Sequence, residues 1–135
     1  FSMVLTVFSF LLALFHFVGP IPTDLGIHQG QLSPCESPAH CAQLEWERND
    51  PIGSLNELAK VIQQTPRSEI VEQHTNYLHA TASSQIFGFV DDLELYADTA
   101  RSVLQARSVS RLGESDLGVN EQRLRSLESV LSKQD

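Results

Sequence analysis

Apolar and polar positions follow two periods along this chain, and the periods divide it into elements. From Ser54 to Thr65 (SLNELAKVIQQT), Leu55, Leu58, Ala59 and Ile62 recur at helical spacing and predict an amphipathic helix with one buried stripe. Ser54 and Glu57 stand at the spacing of a capping box at its start, and Pro66 stops it. The period then shortens to two. Glu69 to Gln73 is a short strand. Asn76 to Ser83 places Tyr77, His79 and Thr81 on one face and Leu78, Ala80 and Ala82 on the other. Phe87 to Tyr96 sets Phe87, Phe89, Asp91, Leu93 and Leu95 against Val90, Asp92, Glu94 and Tyr96. Val103 to Ser110 sets Arg107, Val109 and the following Arg111 against Ser108 and Ser110. Helical spacing returns from Glu121 to Ser132, where Leu124, Leu127, Val130 and Leu131 form the stripe and Arg123 and Arg125 lie outside it.

The connections are short, so neighbouring strands are expected to be antiparallel. The order helix, four strands, helix predicts an α+β domain: a four-stranded antiparallel meander sheet with both helices on one face. The opposite face then carries much of the polar set.

Ahead of this domain, Phe1 to Val18 (FSMVLTVFSFLLALFHFV) has no charge and no polar face. As a helix it spans about 27 Å, close to the roughly 30 Å of a hydrocarbon core. It is expected to be an uncleaved membrane helix; a cleaved signal peptide is the rival reading. Phe17 and Gly19 ahead of Pro20 make a poor cleavage site. No Lys or Arg precedes Arg48, so the downstream flank carries no positive-inside signal and the domain is expected on the exported side. The division is therefore a hydrophobic segment over 1–19, a connector over 20–50 rich in Pro, Gly and Ser, and the α+β domain over 51–135.

The connector holds both cysteines, Cys35 and Cys41, in the run CESPAHC. Five intervening residues suit a small disulfide loop, which an exported location allows to persist. Free thiols, or zinc held with His28 or His40, are the alternatives; the spacing is not C-x2-C and no second ligand pair is evident. The net charge of −8 lies wholly beyond Val18, since Asp24 is the first charged residue. That balance excludes a general nucleic-acid binder, which needs a basic face.

Special residues concentrate between Arg107 and Asn120 (RSVSRLGESDLGVN). The first half alternates as a strand, the second has the Gly, Ser and Asp of a turn, and Asn120 is placed to cap the last helix. Together with YLHATASSQIFGFVDDLEL from Tyr77, this run closely resembles an uncharacterised bacterial and plastid family, the domain of unknown function numbered fourteen ninety-nine. The resemblance covers roughly Leu25 to Leu131, including a helix ending in Thr65-Pro66 and an upstream Cys loop. The family's loop usually has Pro after the first Cys and Asn before the second; here Glu36 and His40 stand there. It usually continues with basic residues after Asn120, where this chain has Glu121 and Gln122. In cyanobacterial and plastid members the domain commonly follows a membrane or export segment. The resemblance thus implies a membrane-anchored protein with its domain in a periplasm or thylakoid lumen, and brings no established activity.

Two chemistries suit the residues. One is recognition of a small anion or a protein partner, with Arg107, Arg111, Ser115, Asp116, Asn120 and His79 as binding residues. Arg107 and Arg111 lie about 13–14 Å apart along a strand, so Arg111, Ser115 and the helix start are the expected grip. Arg111 is expected to be exposed, and Asp116 to hold the turn. The structural alternative pairs Arg107 and Arg111 with Asp91, Asp92 or Asp116. The other chemistry is hydrolysis, with Ser108, Ser110 or Ser115 as nucleophile, His79 as base and Asp91, Asp92 or Asp116 orienting it. No nucleophile-elbow motif accompanies them. Asp91 and Asp92 point to opposite faces of a strand and do not chelate one metal as a pair; neither a metal nor a cofactor is implied. The expected function is a membrane-tethered exported module that binds a protein partner or small anionic ligand. A hydrolase-like enzyme and a structural assembly factor for a membrane complex are the alternatives.

Overall fold

The computed structural model describes residues 18–85, 88–113 and 115–131. In chain order the elements are β1 (Ile27–His28), β2 (Gln31–Leu32), β3 (Cys41–Glu47), α1 (Pro51–Gln64), β4 (Ser68–Gln73), β5 (Tyr77–Ser83), β6 (Val90–Asp98), β7 (Val103–Ser110) and α2 (Val119–Leu131). β1 and β2 form a small hairpin, and the other five strands form one antiparallel sheet in the order β3-β7-β6-β5-β4. The expected meander is present as β4 to β7. The strand count is corrected from four to five: β3 comes from residues read as connector, and it pairs with β7 from Cys41↔Val109 to Glu47↔Val103. Its burial alternates with its sequence, so Ala42, Leu44 and Trp46 pack against the core while Gln43, Glu45 and Glu47 are exposed.

The register explains the two-layer core. Leu44, Ala106, Leu95 and Leu78 fall in one row across four strands, all on one face. α1 sets Leu55, Leu58, Ala59 and Ile62 on that face, and α2 adds Leu124, Leu127 and Leu131. Burying such side chains contributes roughly 1.5–3 kcal/mol each, the main force holding the layers together. Polar ties fix the edges. The Trp46 indole donates to Glu128 Oε2 at 2.8 Å, joining β3 to α2. Arg48 donates to Ser54 Oγ at 2.8 Å and to the Leu131 carbonyl at 3.2 Å, joining the start of α1 to the end of α2.

The helix ends differ from expectation. α1 begins at Pro51 rather than Ser54, because Asp50 is its N-cap and accepts from the Gly53 N–H at 3.0 Å. A Cβ at Gly53 would run into that carboxylate, so glycine permits the cap. Ser54 is buried and serves Arg48 instead. α1 does end at Thr65, ahead of Pro66. Asn120 lies inside α2 and is wholly buried; the turn leading into the helix is held by Asp116, whose carboxylate accepts from the N–H groups of Gly118 and Asn120 at 2.8 and 3.3 Å.

The other face of the sheet is crossed by the N-terminal strap, residues 18–40. Leu32 is buried, and its N–H donates to the Gln105 side chain at 3.0 Å. Among the described residues no helix is long and apolar enough to cross a membrane. The expected membrane helix, Phe1 to Val18, lies outside the described residues except for Val18.

Candidate functional site

Charged side chains rarely lie fully buried unless paired. Here alternation places Tyr77 and His79 from β5, Asp92 and Glu94 from β6, and Gln105 and Arg107 from β7 on the face away from the helices, and the strap covers them. Asp92 and Glu94 are 0% and 1% exposed, Arg107 4% and His79 6%. Two linked sets result. In the first, Glu94 accepts from the Tyr77 hydroxyl at 2.5 Å, from the Gly26 N–H at 2.7 Å and from Arg107 at 3.3 Å. Arg107 also reaches Asp24 at 2.8 Å. Burial, together with Glu94, pushes the Tyr77 phenol above its ordinary range, so it stays a donor.

In the second set, Arg111 grips Asp92 with Nε and Nη2, at 2.8 and 3.0 Å, and His79 Nε2 lies 2.7 Å from the same carboxylate. Burial works to raise the Asp92 pKa. The hydrogen bonds from His79 and Arg111, with their charges, outweigh it and hold the group below the usual carboxylate range. The same bond to Asp92 raises the Arg111 pKa. Arg111 is therefore not the exposed residue expected: its side chain is 10% exposed, because Asp92 draws it back along the sheet.

On the helix side a third group surrounds Asn120. Its side-chain nitrogen donates to Asp116 Oδ2, Ser110 Oγ and the His40 carbonyl at 2.6, 2.9 and 3.2 Å. Its oxygen accepts from Ser108 at 2.7 Å and from Arg123 at 2.9 Å. Arg123 also pairs with Asp91 at 2.9 Å. Asp116 holds the turn, as expected from sequence. Desolvation acts to raise its pKa, but the bonds from Asn120 and Gly118 lower it overall.

These positions decide which expected constellations exist. His79 lies on the strap face, while Ser108 and Ser110 lie on the helix face with Asn120, so the sheet separates the base from two of the three serines. Ser115 sits in the loop before α2, accepting from the Leu117 N–H at 3.3 Å. The Ser/His/Asp arrangement is thus not assembled by these residues. Arg111 and Ser115 also part: Arg111 lines a cleft on the strap side, and Ser115 and Asp116 line a cavity beside α2.

Arg107 and Arg111 meet at that cleft, which measures about 330 Å³. Its walls include Thr23 and Asp24 of the strap, Glu36, His40 and Cys41, and Val109 of β7. Cys41 is joined to Cys35 in a disulfide, so the loop that supplies Glu36 and His40 is closed covalently at its base. Two side chains at the cleft keep a buried nitrogen without a partner among the described residues. Arg107 Nε and His40 Nδ1 are buried and unpartnered. Arg111 spends Nε and Nη2 on Asp92, which leaves Nη1. Sequence reasoning named His40 only as a possible zinc ligand and missed Asp24 and Glu94 as site residues; the alternation of β6 pointed to Glu94.

A family model described as protein of unknown function (DUF1499) matches residues 30–131. The chain belongs to the DUF1499 family. No curated protein and no solved structure matches it. The DUF1499 match takes in the Cys35–Cys41 loop, the whole five-stranded sheet and both helices. It begins after Asp24 and Gly26, the strap residues that complete the Arg107 and Glu94 pairs in this member. No cluster of three or more His, Cys, Asp or Glu placed to hold a metal occurs among the described residues.

Proposed function

We propose that this DUF1499 protein is a membrane-tethered module that binds a small anionic ligand in the cleft of Arg107, Arg111 and His40. The supporting observation is that two side chains lining one cleft, Arg107 and His40, each keep a buried nitrogen without a partner among the described residues, with Arg111 beside them. A buried polar atom without a partner is rare in folded proteins and marks a place for water or an ion. Both arginines already neutralise carboxylates, and Asp24 and Glu36 stand at the rim. The fit is therefore to one compact charge such as a carboxylate, with hydrogen-bond donors on the rest of the ligand, rather than to a polyphosphate. The tether is the uncharged segment 1–18. The exported side is supported by the Cys35–Cys41 disulfide, since such bonds persist in oxidising compartments.

The test is a thermal-shift series on the full chain in detergent, with short carboxylates and inorganic phosphate at constant ionic strength. A carboxylate should raise Tm in the wild type, and His40→Ala should abolish the rise while leaving the ligand-free Tm close to wild type. Equal rises in both proteins, or none in either, would remove the anion site.

A further inference from the structure

The sheet has two ends, and apolar side chains are left in water mainly at one of them. β5 and β7 finish there, β3, β4 and β6 begin there, and so does α2. Of the large apolar residues exposed among the described positions, Leu117 is 93% exposed, Ile21 65%, Val119 45% and Phe89 38%, and all four lie at this end. Ile27 and Val71, the other two, lie elsewhere on the strap and on the β4 edge. Phe89, Leu112, Leu117 and Val119 line a single cavity of about 300 Å³ together with Asp91, Asp116 and Arg123, so they form one amphipathic patch rather than scattered residues.

Leu117 is the sharpest case. It adopts φ 54, a left-handed conformation that branched and bulky side chains disfavour, and it holds its side chain in solvent. Neither local backbone preference nor the domain's own packing accounts for a leucine there.

The chain itself says what lies outside. Segment 1–18 carries no charge and joins the domain at Gly19. Gly19 lies flat on this same end: a Cβ there would come 2.7 Å from Leu112 Cγ and 3.0 Å from Arg111 Cβ. The apolar segment therefore leaves the domain beside the patch. The turn joining β6 to β7, Thr99–Ser102, is at the opposite end, where the neighbouring side chains Asp98 and Arg101 are charged.

We propose that the end bearing Phe89, Leu117 and Val119 rests on the bilayer surface, with these side chains in the lipid interface and the β6–β7 turn pointing away. This rests on the tether proposed above and adds an orientation. The strap-side cleft, which opens near the same end through Ile21, is then held close to the membrane plane, within reach of ligands concentrated there.

The experiment uses the full chain in phosphatidylcholine vesicles. It has no free cysteine among the described residues, so single Leu117→Cys, Val119→Cys and Thr99→Cys variants can be labelled with an environment-sensitive fluorophore. Labels at 117 and 119 should shift to the blue on reconstitution and be quenched several-fold more than the label at 99 by a quencher carried on the lipid chains. Sedimentation with the vesicles reads the tether separately. If the protein sediments and the label at 117 stays as aqueous as that at 99, the orientation is wrong while the tether stands. If it does not sediment, both fall. A blue shift at 117 without lipid quenching, accompanied by 117–117 cross-links, assigns the patch to a second copy of this chain and overturns the proposal.

Discussion

Buried Asp92 joins a histidine and an arginine, and its removal tests how far that cluster depends on it. Asp92→Ala leaves Arg111 and His79 facing an empty position, and breaking a buried ion pair from one side costs about 3–5 kcal/mol. The loss should appear as a lowered midpoint in urea. The same carboxylate predicts a pH dependence. Its folded pKa lies below its ordinary value of about 3.9. Its contribution is therefore complete above about pH 4 and is lost as pH falls through the lowered folded value. Asp92→Asn should flatten part of the acid limb of a Tm-against-pH curve; an unchanged limb would show that other carboxylates carry it. The partners themselves were half legible. Strand alternation groups Tyr77 with His79, Asp92 with Glu94, and Arg107 with Arg111 within each strand; the register brings the three pairs to one face. Alternation does not say that the face is covered, because Asp24 lies 83 residues from Arg107. Nor does it say that Asp92 holds Arg111 back from solvent.

At the scale of elements, the meander and both helices could be read from periodicity, with β7 placed at its observed bounds. β3 could not. Ala42, Leu44 and Trp46 alternate with Gln43, Glu45 and Glu47, but the run follows Pro, Gly and Ser residues that signal a connector, and its pairing partner is the last strand rather than the next one. The helix starts were missed for a related reason. Ser54 and Asn120 are good capping residues by type, yet both are buried and answer to arginines, Arg48 and Arg123. The disulfide loop links these elements. Its Ala39 carbonyl accepts from the Asp116 N–H at 2.8 Å, and its His40 carbonyl from the Ser110 N–H at 3.0 Å. Reducing Cys35–Cys41 should lower stability by about 2–3 kcal/mol, as expected for so short a loop. It should also speed hydrogen exchange at Ser110 and Asp116 more than at Leu95 in the sheet centre. Uniform change at all three would mean that the loop does not hold the α2 corner.

For the whole molecule, the tether sets the behaviour that is simplest to measure. The full chain should sediment with membranes and stay there after carbonate extraction; recovery of only a soluble form beginning near Ile21 would replace the anchor with a cleaved leader. The strap has a different consequence, which concerns time. Asp24 and Gly26 leave the ribosome before any strand of the main sheet, yet their partners Glu94 and Arg107 lie on its central strand, β6, and the neighbouring β7, and are made much later. Contacts this distant in sequence form slowly, because a long loop must close before they are rewarded. The strap must therefore wait, unpaired, through most of synthesis, and the charged face stays open to water until β7 has docked. The strap therefore cannot complete the charged face until nearly the whole sheet has been made.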